Sequence, residues 1–428
     1  MSKSRTYSSQ DVQSVRVDGL NKGHEAEAAT VGVDVSKADL KLVIRWASGA
    51  KERPLAASNP GQVPQVVELL RELSRGRKLV VAMESTGTYG DVFRQAVTQA
   101  GLELQRVGGK AVHDYAETFD GVPSQHDGKD AGVIAELAAM GKGKAWPWRR
   151  GSETQQQIQA CVDLLGCYSR HYAMWLNQIE AWLARHWPEL GELLEIGSPT
   201  VLQMLAHYGS PAALAADAEA ESRLRAWGGP MLTQAKIAAV RASAAATLGI
   251  ACSGVDRQRA GRYAQETLAA QEQMQAQRRA LRELGASQPN IERVGRAVGQ
   301  GTACVVYASV GDPASYSSPG AFVKALGLNL TERSSGRHHG TRHISKRGPA
   351  GARRWLYFAA LRCVQHEQVK PWYQRKLARD NGRGTPALVA VMRKLAMAIY
   401  RMCKDQVPFD PGKLFPGRPS RAKEVTMR

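Results

Sequence analysis

The chain has 428 residues, a formal net charge of +19, 43% hydrophobic residues and a mean hydropathy of −0.35. That length suits two or three domains, each with its own core. No apolar run approaches the ~18 residues of a membrane span, and the polar N-terminus reads as carrying no secretory signal. Cys161, Cys167, Cys252, Cys304, Cys363 and Cys403 form no CxxC pair, which fits reduced thiols in a cytoplasm better than disulfides or zinc.

Residues 1–27 are polar and are expected to be disordered. Over 28–148 the pattern predicts strands at Ala29–Asp34, Leu40–Trp46 and around 51–57. A helix (60–75), a strand (78–84), a helix (88–100), a strand (102–107) and further helices follow. Three strands, then alternating helix and strand, is the order of an α/β RNase H-like domain. Asp34 closes the first apolar strand and Glu84 the fourth, while Asp127 and Asp130 open a helical stretch three residues apart and so share a face. Converging carboxylates repel each other, and an oxygen-seeking cation compensates them. Two Mg²⁺ ions so held clamp the attacking and leaving oxygens of a phosphodiester exchange.

The region 149–287 reads as a helical, coiled-coil linker with an insertion. Cys161, Leu165, Tyr168, Tyr172, Trp175, Ile179 and Trp182 step by fours and threes, and Pro188 ends that helix. A weaker seam runs over 256–285. Ile196–Leu214 and Val298–Gly327 both resemble helix–hairpin–helix units, and ordinary helical turns with Gly fit them equally well. From 350 the pattern is helical within a C-terminal domain spanning 288–410, followed by a basic tail, 411–428. Residues 331–428 hold 22 Lys and Arg against 6 Asp and Glu, so they carry +16 of the net charge. A lopsided basic third is the electrostatic footprint of a polyanion partner. Interleaved Trp355, Tyr357, Phe358, Trp372 and Tyr373 need a core or a stacking partner.

The segment Gly327–Gly348 is rich in small, hydroxyl and cationic residues. Ser335 beside Gly336 is open to close approach, yet a serine needs a base or metal before it attacks. His338 and His339 suit a metal or a base, although adjacent histidines in a basic loop more often contact phosphate or water. Arg337, Lys346, Arg347, Arg353, Arg354, Arg393 and Lys394 are the candidate nucleic-acid contacts.

Here the chain resembles a known family. Gly32-Val-Asp34-Val-Ser-Lys, Met83-Glu84-Ser-Thr-Gly-Thr-Tyr and Asp127-Gly-Lys-Asp130-Ala look like the DEDD domain of the IS-one-ten insertion-sequence transposases. Gly327-Leu, Ser335-Gly, Ser345-Lys-Arg-Gly348, Val391-Met-Arg-Lys-Leu-Ala396 and Val407-Pro-Phe-Asp410 look like their C-terminal transposase domain. The resemblance implies a RuvC-like N-terminal domain joined through a coiled coil to a mostly helical C-terminal domain. It implies a recombinase that moves its own element, guided by a structured bridge RNA, acting on donor and target DNA as dimers that assemble into a tetramer. It places the metal quartet on Asp34, Glu84, Asp127 and Asp130, and the nucleophile on Ser335, or on Ser334 if the loop slips by one. The 190–255 segment is longer than in compact members, and Val294–Gly299 lacks an expected proline. The same residues also suit a site-specific DNA invertase of that family, a metal-dependent junction nuclease in which Ser335 is structural, or a packaging protein without chemistry.

Overall fold

The structure is a computed structural model that describes residues 8–85, 87–121, 126–332, 340 and 342–416. The chain divides into two compact units, residues 1–150 and 151–428.

The first unit is built on β1 (Gln10–Asp11), α1 (Val17–Asn21), β2 (Ala29–Val35), β3 (Asp39–Trp46), β4 (Leu55–Ser58), α2 (Val63–Leu73), β5 (Leu79–Glu84), α3 (Asp91–Gln99), β6 (Glu103–Val107), α4 (Gly109–Asp120), α5 (Asp127–Ala139) and β7 (Lys144–Ala145). The strands form one mixed sheet in the order β1-β4-β3-β2-β5-β6-β7. β2, β3 and β4 run as an antiparallel meander, with Val31 opposite Ile44 and Leu40 opposite Ala57. β5 and β6 run parallel to β2 after their crossover helices. Meander first and parallel crossovers second is the RNase H-like, RuvC-like arrangement expected from the sequence.

Alternation along the strands sorts the two faces. Val31, Val33 and Met83 pack into a core with Val66, Leu70 and Phe93. Ala82 faces the opposite core, among Val112, Val133, Ile134 and Leu137 of α4 and α5.

The N-terminal segment departs from expectation. From residue 10 it adds a strand parallel to β4, and Val12 and Leu20 are buried. Four apolar residues among many polar ones give no sustained period, yet Val12 and Leu20 are buried in the sheet's core and Val15 and Val17 pack against it.

The second unit comprises α6 (Glu153–His186), α7 (Leu190–Leu193), α8 (Pro199–Tyr208), α9 (Pro211–Ala216), α10 (Ala220–Gly228), α11 (Gln234–Ala245), α12 (Gly254–Ala286), α13 (Pro289–Val298), α14 (Gln300–Val310), α15 (Pro319–Ala325), β8 (Leu330–Thr331), β9 (His343–Ile344), α16 (Ala350–Cys363), α17 (Lys370–Arg379), α18 (Gly384–Lys404) and α19 (Pro411–Leu414). α6 and α12 pack lengthwise, with Trp175 stacked on Tyr263 at 5.7 Å. The segment between them closes its own core around Trp187, Leu202, Leu205, Leu224, Ile237 and Val240. Ser198-Pro199, Ser210-Pro211 and Ser318-Pro319 each start a helix, the serine oxygen accepting a backbone N–H three residues on. A further core joins α13–α16 and α18 through Val294, Phe322, Leu356, Val391 and Leu395. Trp355, Tyr357, Trp372 and Tyr373 pack against this core, whereas Phe358 is exposed. All six cysteines are free thiols, and among the described residues no helix is long and apolar enough to cross a membrane.

Candidate active site

Asp34 and Glu84 lie one residue beyond Val33–Met83, the last registered pair of the parallel strands β2 and β5. Asp34, still paired with Lys41 of β3, and Glu84, paired with Val107 of β6, therefore stand side by side at the C-terminal ends of their strands, on the face that Gly32 and Ala82 share. α5 crosses that face. A Cβ on Gly32 would lie 2.0 Å from the Ala131 carbonyl oxygen and 2.4 Å from the Ala135 nitrogen, so only glycine admits the helix this close. Asp127, Ala131 and Ala135 recur at helical spacing, and the small residues lie over Gly32 while the acidic first turn lies toward Asp34.

Ion pairs hold α5 in place at both ends. At its N-terminal end, the Lys129 ammonium is buried and sits 2.7 Å from the Asp120 carboxylate at the end of α4. Toward its C-terminal end, the Arg45 guanidinium of β3 donates to both oxygens of Glu136, at 2.9 and 3.1 Å, and Lys51 adds a contact of 3.2 Å. Glu84 has its own niche against α4. A Cβ on Gly109 would fall 2.1 Å from Glu84 Oε1.

The four acids share one field. Partial burial, then the charges of Asp130, Asp127 and Glu84, pushes the Asp34 carboxyl up to about 6. Burial and Asp130 raise Glu84, and burial and Asp127 raise Asp130, with Lys129 and His126 offsetting part of the latter. Among the described residues no three such side chains converge closely enough to cage a single ion. The donor set is nevertheless all-oxygen and anionic, and its mutual repulsion is what a hard divalent cation removes. The four acids thus form a shared anionic ledge rather than a closed cage.

The Gly109→Ala variant separates geometry from folding. The obstructing atom is the far end of a flexible side chain, so Glu84 rotates away while the helix gains a better helix former. Thermal stability is expected to change by less than about 1 kcal/mol, while Mn²⁺ affinity, read by titration calorimetry, falls by roughly tenfold or more.

The described residues on either side of the Ser335 stretch are anchored. β8 and β9 pair antiparallel, Leu330 with Ile344 and Thr331 with His343, and Arg342 bridges Glu332 at 2.6 Å. Lys346 donates its N–H to the Gly327 carbonyl, and Arg353 donates to the carbonyls of Gly348 (2.7 Å) and Leu326 (3.3 Å). Ser334, Ser335, Arg337, His338 and His339 lie outside the described residues. Lys346, Arg347 and Arg354 are exposed, whereas Arg393 and Lys394 are half-buried. Lys394 donates to the Leu414 carbonyl at 2.7 Å and sits over Trp372 and Phe415.

Gly32, Gly109 and Lys129 shape the site, and sequence reading singled out none of them for it. The only available signal was Lys129 between two acids, and that spacing reads as surface charge.

Two family models match the chain, a DEDD-type IS110 transposase model over residues 31–188 and the "Transposase IS116/IS110/IS902 family" over 296–377. The "Insertion element IS110 uncharacterized 43.6 kDa protein" of Streptomyces coelicolor is 25% identical over 339 residues, 76% of this chain and 82% of that protein. Among solved structures, Thermus thermophilus RuvC matches with a TM-score of 0.20, 16% identity, 28% of this chain and 99% of RuvC. RuvC in complex with a Holliday junction substrate matches with a TM-score of 0.21 and 17% identity over the same shares. The transposase models match both ends of the chain, and the chain belongs to the IS110 family of insertion-sequence transposases.

Proposed function

We propose that this transposase is an RNA-guided DNA recombinase that exchanges strands through a covalent phosphoserine on Ser335, with Mg²⁺ held by Asp34, Glu84, Asp127 and Asp130. The observation that carries the reading is the acidic ledge, four carboxylates in one field at the C-terminal edge of β2 and β5 beneath the first turn of α5. When bound there, divalent cations neutralise phosphate charge and favour the alkoxide form of a hydroxyl nucleophile.

In the exchange, Ser335 Oγ forms a bond to a DNA phosphorus and its proton passes to solvent. The bond from that phosphorus to one deoxyribose oxygen breaks, and the departing oxygen takes a proton. The exchanged strand's hydroxyl then attacks the same phosphorus, loses its proton and releases serine. One phosphoester bond is made for each broken, so no nucleotide cofactor is needed. Exposed Lys346, Arg347 and Arg354 supply cations for nucleic-acid backbones. Arg337 adds to them, while Arg353, Arg393 and Lys394 contribute through the packing that holds the basic surface. Sequence choice falls to base pairing with a guide RNA, and copies of the chain assemble as dimers and then a tetramer on donor and target DNA.

The test mixes protein, RNA transcribed from the element's flanks, Mg²⁺ and labelled donor and target DNA, resolved on denaturing gels. A protein–DNA adduct is expected, and Ser335→Ala should remove it while Ser334→Ala leaves it. Free-ended DNA with no adduct, unchanged by Ser335→Ala, identifies a junction nuclease instead. An adduct that forms without RNA removes the guide from the reading and favours a site-specific invertase.

A further inference from the structure

α6 carries a second seam that its packing on α12 leaves unused. The buried residues Ile158, Leu165, Ile179, Trp182 and Leu183 define one face of the helix. Beside it, Ala160, Leu164, Cys167, His171, Met174, Gln178 and Ala181 recur by fours and threes, the spacing of a helix-pairing stripe. Leu164 and Met174 are 43% and 46% exposed, a poor place for large apolar side chains unless another surface covers them.

At the middle of the stripe, Cys167 Sγ lies 3.9 Å from His171 Nε2. Thiolate and imidazole on one tetrahedral zinc stand about 3.5 Å apart, from bond lengths near 2.3 and 2.0 Å, so a small rotamer adjustment lets both bind one ion. Two ligands make half of a structural site, which takes four. The stripe is symmetric about its own centre. Leu164 precedes Cys167 by three residues, and Met174 follows His171 by three. Antiparallel pairing of two copies about a two-fold axis midway between Cys167 and His171 therefore seats each Leu164 on the other chain's Met174. It also sets each Cys167 beside the other chain's His171 and faces Ala160 with Gln178. An isologous contact of this kind needs only one self-complementary patch.

We infer that two copies of this chain pair antiparallel along α6 and hold one zinc-class divalent cation between them, through Cys167 and His171 of each. The cation class follows from the donors, since two thiolates and two imidazoles in tetrahedral array select zinc over the hard cation suited to the acidic ledge. Binding deprotonates each thiol, and the proton leaves to solvent. The sequence alone argued against zinc because no CxxC pair occurs; here a helix turn, rather than a knuckle, brings the ligands together. The site is independent of the proposed strand chemistry.

The test uses the nucleic-acid-free full chain, stripped with EDTA and titrated with Zn²⁺ or with Co²⁺ as a coloured probe. Half an equivalent of Zn²⁺ is expected to double the mass in sedimentation, reversibly with EDTA. Co²⁺ should give thiolate charge-transfer and tetrahedral ligand-field bands that saturate at one ion per two chains. Cys167→Ser and His171→Asn should each abolish both signals, and Leu164→Glu should weaken pairing by at least tenfold. In the antiparallel register His171→Cys cross-links to the other chain's Cys167 on mild oxidation, whereas within one helix that spacing is too wide for a disulfide. Binding at one ion per chain without a change in mass overturns the inference, as does binding that survives Cys167→Ser (an adventitious ion only). A dimer of unchanged mass in EDTA, or wild-type cross-linking through Cys167 alone, overturns it equally.

Discussion

Asp34→Asn is expected to abolish strand cleavage while making the metal-free protein more stable. Asp34 holds its proton up to about 6 against an ordinary 3.8, because burial and three neighbouring carboxylates oppose its charge. A carboxyl that keeps its proton to higher pH in the folded chain than in the unfolded one destabilises the fold as it ionises. Metal-free wild type should therefore lose stability as pH rises from about 4 to about 6 and stay at the lower level above that window. Taken at face value that rise is worth roughly 3 kcal/mol; solvent reaches part of the carboxylate, and discounting for that leaves about 1 kcal/mol. Asparagine has the same shape and no charge, so the variant should melt a few degrees higher than wild type at pH 7.5 without metal. Mg²⁺ reverses the order, because it binds the folded wild type and raises its melting temperature, while the variant stays unmoved. Strand cleavage should fall by at least about a thousandfold, in line with the several kcal/mol that a metal supplies to phosphoryl chemistry. A variant that melts lower than wild type without metal would mean that Asp34 is a structural acid.

The sequence exposes the parts of this site that repeat and hides the parts that occur once. β2, β3 and β5 are legible because Val-rich runs alternate faces, and an acid at a strand end breaks the apolar pattern in plain view. α6 and α12, helices of 34 and 33 residues, are legible because seams repeat along them, more weakly in α12. β1 and β7 have two residues each, too few for any period. The short helices α7–α11 bury only a few residues each, so their core exists only once all five are together. The charge count misleads in a different way. Arg362 donates to the Val298 carbonyl at 2.9 Å, Arg353 holds the Gly327–Gly348 turn, and Lys376 is paired with Asp380. The basic third thus spends part of its cation surplus on its own carbonyls and carboxylates, and the surface open to a polyanion is smaller than the net +16 suggests. Composition counts charges and is blind to their partners.

Gly32 turns that blindness into the second large effect, since nothing in Thr30-Val-Gly-Val-Asp34 marks the glycine as more than a weak point in a strand. The two atoms nearest to a Cβ at this position are backbone, Ala131 oxygen and Ala135 nitrogen, within 2.4 Å. Backbone in the middle of a 13-residue helix cannot step aside, so the whole of α5 must lift from the sheet. Gly32→Ala should cost about 3 kcal/mol or more, at the upper end for overpacking a core, and lower the midpoint of urea unfolding followed by circular dichroism. Trimming the facing side chain does not relieve backbone contacts, so adding Ala135→Gly should recover little of the loss. At a temperature where the variant still folds, a lifted α5 carries Asp127 and Asp130 away from Asp34, and the Mg²⁺-dependent rise in melting temperature should vanish with it. Full stability in Gly32→Ala would show that α5 does not press on β2, and the shared acidic ledge would lose its structural basis.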